Sequence, residues 1–244
     1  MKAVTKELPE YDYIYYGDTE NLPFGDKTEE EVYTLTKIGI ENLFKRSCQL
    51  VIVACNTASA ETLRRLQEEL VVGEYSDRRI LGMIIPTIET LVEKDKDQAL
   101  LLATKRTIDS NKYQIELSKM DSLIHLKQVA TPDLVPLIEI GDMDLALQTV
   151  KKVIDEEGGE SEVVVLGCTH YTELKQGLRE EYREKVFLSQ DEIIPAKLKS
   201  YLYCHPELES KLTRGRGREV HLTEHKPYYD KILQHLLGGV LVEE

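Results

Sequence analysis

Two cysteines stand in matching settings. In VIVACNTASA, residues 51–60, a β-branched run leads into Ala54, Cys55, Asn56 and Thr57; in VVVLGCTHYT, residues 163–172, a similar run leads into Gly167, Cys168, Thr169 and His170. Each thiol falls where an apolar strand ends and an amphipathic helix begins, with an early Glu in that helix, Glu61 or Glu173. In open parallel sheets, ligands bind beyond the carboxyl ends of the strands, so both thiols fall where ligands bind. Unpaired N–H groups and the dipole at a helix start favour negative charge, which lowers a thiol pKa and attracts carboxylates. Asn56, Thr57 and Thr169 add hydrogen bonds to the same anions. A single such cysteine would read as a nucleophile. Two in equivalent positions of facing lobes read as acid–base groups: one thiolate removes a proton from a carbon and the other thiol delivers one from the opposite face, which is racemisation or epimerisation.

The other two cysteines read differently. Free cysteines often act as small buried hydrophobes, and Cys48 in SCQLV and Cys204 at a helix end fit that description. Four cysteines are too sparse for a disulfide scaffold, so free thiols in a reducing compartment are expected. No CxxC pair exists, and Cys168-Thr-His170 alone is not zinc-ligand spacing. Lys plus Arg number 31 against 44 Asp plus Glu, a net charge of −13, which argues against a nucleic-acid partner. The basic run Arg214 to Arg218 reads as an exposed loop. No apolar run approaches the ~20 residues that span a bilayer, and MKAVTKELPE has no secretory core. A cytoplasmic protein with no membrane contact is expected, and a homodimer stays open.

A chain of 244 residues makes one large or two modest domains. Short β-branched runs alternate with longer helical stretches, the pattern of βα units on a parallel sheet. Strands are expected at 11–16, 49–54, 80–85, 99–103, 122–129, 162–167, 185–189 and 219–223. Thr28 with Glu31 forms a capping box for a helix to about residue 46, its apolar face drawn partly from Val32, Leu35 and Leu43. Gly158-Gly159 closes the helix before the 162–167 strand. Pro86 is disfavoured inside a continuing element, so Ile85-Pro86-Thr87 reads as a passage between domains. The expected architecture is α/β: two doubly wound α/β lobes with parallel sheets and the active site between them. The first lobe takes residues 1–85 plus 196–244 and the second 86–195. Met1, Val4 and Leu8 sit at helical spacing, where a doubly wound domain usually opens on a strand.

YYGDTENLPFG, VIVACNTASA, ATPDLVPLIEIG and VLGCTHYTEL, in this order and spacing, resemble the glutamate racemase group of the cofactor-independent aspartate/glutamate racemases. The resemblance implies two lobes clamping an amino acid and needs neither pyridoxal phosphate nor metal. It implies that Cys55 and Cys168 move the protons, Cys55 on D-glutamate and Cys168 on L-glutamate, with His170 assisting Cys168. It implies substrate contacts from Asn56, Thr57, Thr104 and Thr169, with Glu139 near the site. Pro23, Phe24 and Gly25 match a Pro-Tyr-Gly loop in which Phe24 lacks the usual hydroxyl, and Ala103 stands where Gly is usual. Asp18 reads as a loop-structuring residue. The implied activity supplies D-glutamate for bacterial peptidoglycan. Rival expectations are an aspartate or hydantoin racemase, against which Thr169-His170-Tyr171 speaks, or a truncated non-catalytic binding protein. That last rival rests on the front of the chain, where the family's opening strand and Asp-Ser-Gly-x-Gly-Gly loop are not found. Either the recorded sequence starts at an internal Met or the protein is a shortened relative.

Overall fold

The computed structural model describes residues 1–120 and 123–224. Its contacts divide the chain into unit 1, which takes Met1–Val53, Thr62–Leu81 and the stretch from Ile194 onward, and unit 2, which takes Ala54–Glu61 and Gly82–Ile193. Among the described residues, all strand pairs in both units are parallel.

Unit 1 contains α1 (Lys2–Glu7), β1 (Tyr13–Gly17), α2 (Glu29–Lys45), β2 (Leu50–Ile52), α4 (Leu63–Leu66), β3 (Arg79–Leu81), most of α11 (Gln190–Cys204), α12 (Pro206–Glu209) and β8 (Arg218–Leu222). Strand β1 pairs with β8, and β2 pairs with β3. Helix α2 opens on the expected capping box: Thr28 accepts from the Glu31 N–H, and Glu31 accepts from the Thr28 N–H at 2.8 Å. Its buried face is Val32, Tyr33, Ile40 and Phe44, so Leu35 and Leu43, expected to share it, lie only half-buried beside it. Leu8, Tyr11, Leu198, Leu202 and Leu208 form a separate core with Val4, Tyr13, Leu50 and Ile52 packed against it. Of the Arg214–Arg218 run, residues 214–217 form an exposed loop, and Arg218, half-buried, opens β8. The loop backbone is tied to Asp12, whose carboxylate accepts from the N–H groups of Gly215 and Gly217 at 3.0 and 2.6 Å.

Unit 2 contains α3 (Asn56–Glu61), α5 (Ile84–Val92), β4 (Gln98–Ala103), α6 (Lys105–Asp109), α7 (Lys112–Lys119), β5 (His125–Ala130), α8 (Leu134–Glu139), α9 (Met143–Glu157), β6 (Val163–Leu166), α10 (Lys175–Glu181) and β7 (Val186–Ser189). The sheet order is β5-β4-β6-β7. The two middle strands are buried along nearly their whole length, Leu100, Leu101 and Leu102 on β4 and Val163 to Leu166 on β6. A parallel strand covered on both faces needs such an unbroken apolar run. One face carries the main core, where Leu100, Leu102, Val164 and Leu166 meet Leu134, Val150, Ile154, Tyr171 and Leu178. Helix α9 stops at Gly158, and Gly159 then takes φ +48°, a left-handed conformation in which a side chain would be strained.

Two expectations need correction. The apolar run ILGMII does not continue as a strand to residue 85: β3 stops at Leu81, and Ile84-Ile85-Pro86 opens α5. In a first turn the backbone N–H has no helical partner to lose, so Pro86 fits inside the element and marks no passage between domains. The second concerns residues 54–61, read as part of the first lobe. Helix α3 buries Asn56 through Ala60 and touches α5, α6 and α7, so these residues group with unit 2. Residue 122 and residues 225–244, the ends of one expected strand and of the first lobe, lie outside the described residues.

Candidate active site

Strand β6 delivers Cys168. The N–H of Gly167 donates to the Leu102 carbonyl at 2.8 Å. A Cβ at Gly167 would lie 2.6 Å from Leu101 Cδ1 and 3.0 Å from the Leu102 oxygen, so only glycine lets the strand end press this closely on β4. Cys168 follows in extended conformation and starts a 3-10 turn over Thr169–Leu174, which leads into α10. Tyr171 pins this turn: its fully buried hydroxyl lies 2.7 Å from Thr131 Oγ1 and donates to the Thr131 carbonyl at 3.1 Å, at the end of β5. Thr169, the turn's first residue, is half-buried.

Behind Cys168 stands a relay. Its buried Sγ lies 3.7 Å from His170 Nδ1, and His170 Nε2 lies 3.4 Å from Glu139 Oε1, at the end of α8. Burial disfavours a charged imidazole, but hydrogen bonding and charge attraction from Cys168 and Glu139 outweigh it, and the pKa is pushed up to about 10. His170 is therefore an imidazolium at neutral pH, with Nδ1–H directed at the sulfur and Nε2–H at the carboxylate.

Cys55 lies between β2 and α3, where the Ser59 N–H donates to its carbonyl at 2.9 Å. Burial pushes its thiol pKa up. The Ala58 and Thr57 N–H groups pull it down, as a helix start should, and the Cys168 charge adds to the rise. The expectation that the helix start would lower this pKa is thus corrected. The backbone donors act in the expected sense, but desolvation is larger.

Next to Cys55, three hydroxyls form a triangle. Thr57 Oγ1 lies 3.0 Å from Thr104 Oγ1 and 3.4 Å from Thr107 Oγ1, and Thr104 lies 3.0 Å from Thr107. Thr104 also caps α6, accepting from the Thr107 N–H. Arg106 fastens α6 to α3 through both carboxylate oxygens of Glu61, at 2.9 and 3.0 Å. Asn56 is buried in a polar knot. It donates to Gln190 Oε1 at 2.8 Å, and its own Oδ1 accepts from Gln190 Nε2 and from the Tyr113 hydroxyl, each at 2.8 Å.

Unit 2 therefore holds Cys55, Asn56, Thr57, Thr104, Glu139, Cys168, Thr169 and His170, and the two thiols are close enough for one to perturb the other's titration. Pro23, Phe24 and Gly25 belong to unit 1, where Pro23 directly precedes a 3-10 turn over Phe24–Asp26. Asp18, also in unit 1, accepts from Asn21 at 2.8 Å and from Thr223 at 2.9 Å, a loop-structuring role. Cys204 does not act as a core hydrophobe: it ends α11 exposed, while Cys48 is half-buried. Sequence reasoning missed Thr107, Tyr113, Thr131 and Gln190. Thr131 sits inside ATPDLVPLIEIG and was open to notice, whereas Gln190 meets Asn56 across 134 residues of chain and carries no local signal.

A parallel α/β unit with two thiols at strand ends, one backed by an imidazolium and a carboxylate, defines a site for acid–base proton transfer. The family model for Asp/Glu/Hydantoin racemases matches residues 2–194. The glutamate racemase of Ruegeria pomeroyi is 33% identical over 242 residues, covering 93% of this chain and 87% of its own. That of Jannaschia sp. is 34% identical over the same shares. The crystal structure of a glutamate racemase isoform from Bacillus anthracis superposes with a TM-score of 0.87 at 26% identity, over 99% of this chain and 90% of that one. The chain belongs to the Asp/Glu/hydantoin racemase family and, within it, to the glutamate racemases. Among its described residues, no helix is long and apolar enough to cross a membrane.

Proposed function

We propose that this chain interconverts L- and D-glutamate in the bacterial cytoplasm by a two-thiol mechanism, supplying D-glutamate for peptidoglycan. The observation that carries this reading is the presence in one unit of Cys55 and Cys168, close enough for the second to raise the pKa of the first and differently supported. The Cys168 thiolate takes the α-proton of L-glutamate, and the Cys55 thiol gives its proton to the opposite face. One S–H bond forms as the other breaks, leaving the two sulfurs with exchanged roles. The reverse reaction starts from the Cys55 thiolate. The imidazolium of His170 stabilises negative charge on the Cys168 side. After the L-to-D direction Cys168 gives up the proton it took and Cys55 regains one from solvent; after the D-to-L direction, which spends the Cys168 proton, His170 returns one to that sulfur. Thr57, Thr104, Thr169 and Asn56 are the donors that hold the substrate carboxylate beside the reacting carbon. Glu139 acts through His170.

The test is exchange of the α-hydrogen in heavy water, read by NMR on L- and D-glutamate, with racemisation followed by polarimetry. The wild type exchanges and racemises both enantiomers. Cys55→Ala loses racemisation but still exchanges L-glutamate, and Cys168→Ala retains only D-glutamate exchange. No exchange by the folded wild type refutes the glutamate reading, faster exchange of aspartate moves the substrate, and unchanged exchange in both variants removes the two-thiol mechanism.

A further inference from the structure

Asn56 follows a proton-transfer cysteine, yet its side chain is not simply open to a ligand. Asn56, Gln190 and Tyr113 are 3%, 3% and 1% exposed. The amides of Asn56 and Gln190 face each other as a reciprocal pair, each donating one N–H to the other's oxygen at 2.8 Å. Such a pair has two solutions, because turning both amides over restores both bonds. In the observed arrangement the Tyr113 hydroxyl donates to Asn56 Oδ1, which then has both acceptor positions filled. With Oδ1 saturated and one amide hydrogen committed to Gln190, the other hydrogen of Asn56 Nδ2 lies outside the pair in a fixed direction. The three residues arrive from separate elements: Asn56 at the start of α3, Tyr113 on α7 and Gln190 directly after β7. An apolar side chain would fill the same space, so packing alone does not require this set of donors and acceptors, whereas leaving any one of them unpaired in the interior is unfavourable.

We infer that Gln190 and Tyr113 are positioning residues that hold the Asn56 amide in one orientation, so that its remaining N–H meets the α-carboxylate of the substrate beside Cys55. This rests on the glutamate-racemase reading above. Gln190 touches no reacting atom and acts through Asn56. A pre-set donor used alike by bound substrate and transition state appears in KM, so the lock governs KM more than kcat.

Gln190→Leu, Gln190→Glu and Tyr113→Phe are compared with the wild type for KM and kcat with both enantiomers, alongside thermal unfolding. Gln190→Leu raises KM about tenfold for L- and D-glutamate and changes kcat by less than about threefold, while Tyr113→Phe, which keeps the amide pair, gives a smaller rise in KM. Gln190→Glu is the rescue. A buried, protonated carboxyl offers one donor and one acceptor, as the amide does, so KM is near that of the wild type at low pH and climbs as the carboxyl ionises. A merely structural role would lower the unfolding temperature without this pH-dependent KM. KM within about twofold of wild type in folded Gln190→Leu overturns the inference. If the wild type proves inactive on glutamate, that failure belongs to the functional reading, and the lock is read directly on the Asn56 side-chain amide by NMR. A shifted amide, slow to exchange in the wild type and fast in Gln190→Leu, supports the inference; an amide unaffected by the substitution overturns it.

Discussion

Replacing Glu139 with Gln keeps the side chain's size at the end of α8 and removes only its charge. His170 Nε2 is 3.4 Å from that carboxylate. At this distance two unit charges attract by about 1 kcal/mol in bulk water and about 5 kcal/mol at an effective dielectric of about 20. The two side chains are 32% and 29% exposed, so solvent screens much of the larger value. A loss near the lower end, about 1.5 kcal/mol, lowers the His170 pKa from about 10 to about 9. His170 therefore stays charged at pH 7 in the variant, and racemisation there changes by less than about threefold. The alkaline limb of kcat/KM, which reports the free enzyme, moves down by about one pH unit. Stability follows the same sign. The folded pKa lies above the ordinary 6.5, so the His170 contribution is complete below pH 6.5 and is lost as pH rises through about 10. Urea unfolding midpoints of the wild type thus fall more between pH 7 and 10 than those of the variant. NMR titration of the labelled imidazole measures the shift directly. An unmoved titration, or identical alkaline limbs, refutes the claim that the Glu139 charge acts through His170.

Two further outcomes follow from the packing. Gly167→Ala sets a Cβ 2.6 Å from a Leu101 side chain that is itself fully buried and 3.0 Å from a backbone oxygen; a loss of about 1–3 kcal/mol in chemical denaturation is expected, and stability equal to the wild type would show that β6 relaxes freely. Glu192 titrates at about 2, held down mainly by Arg179 against the opposing effect of burial, with Lys175 adding to the lowering. Its stabilisation is complete above the ordinary 4.5 and is lost as pH falls towards 2. The carboxylate is half exposed, so after screening the effect is on the order of 1 kcal/mol, and Glu192→Gln should flatten the acid limb of unfolding by that amount; parallel acid limbs would remove the ion pair from the account.

Strands β4 and β6 were legible because a parallel strand covered on both faces is a short, unbroken apolar run. ILGMII was not, since an apolar run that turns into a helix after Leu81 looks the same, residue by residue, as one that stays extended. The pair of thiols was legible from local repetition alone. Their electrostatics were not: whether Cys55 is lowered by the helix start or raised by burial depends on what packs over it, which no nearby residue reveals. Gln190 and Tyr113 escaped notice for the same reason, being 134 and 57 residues from the side chain they hold.

The matched sequences around the two cysteines therefore conceal unlike environments. Cys168 has an imidazolium and a carboxylate behind it, whereas Cys55 has burial, backbone donors and threonine hydroxyls. This difference cannot favour one product. L- and D-glutamate have equal free energy in water, so at every pH the kcat/KM values of the two directions of a racemase must be equal. The asymmetry can appear only where each enantiomer is bound, as paired differences in kcat and KM that cancel in their ratio. The raised pKa of Cys55 leaves its proton in place at neutral pH, which is the protonation state the proposed mechanism requires for L-glutamate. The same mechanism requires the opposite state for D-glutamate, with the half-buried Cys55 charged. Two thiols in similar sequence settings are thus given unlike surroundings, one held up by burial among backbone donors and the other set beside an imidazole and its carboxylate.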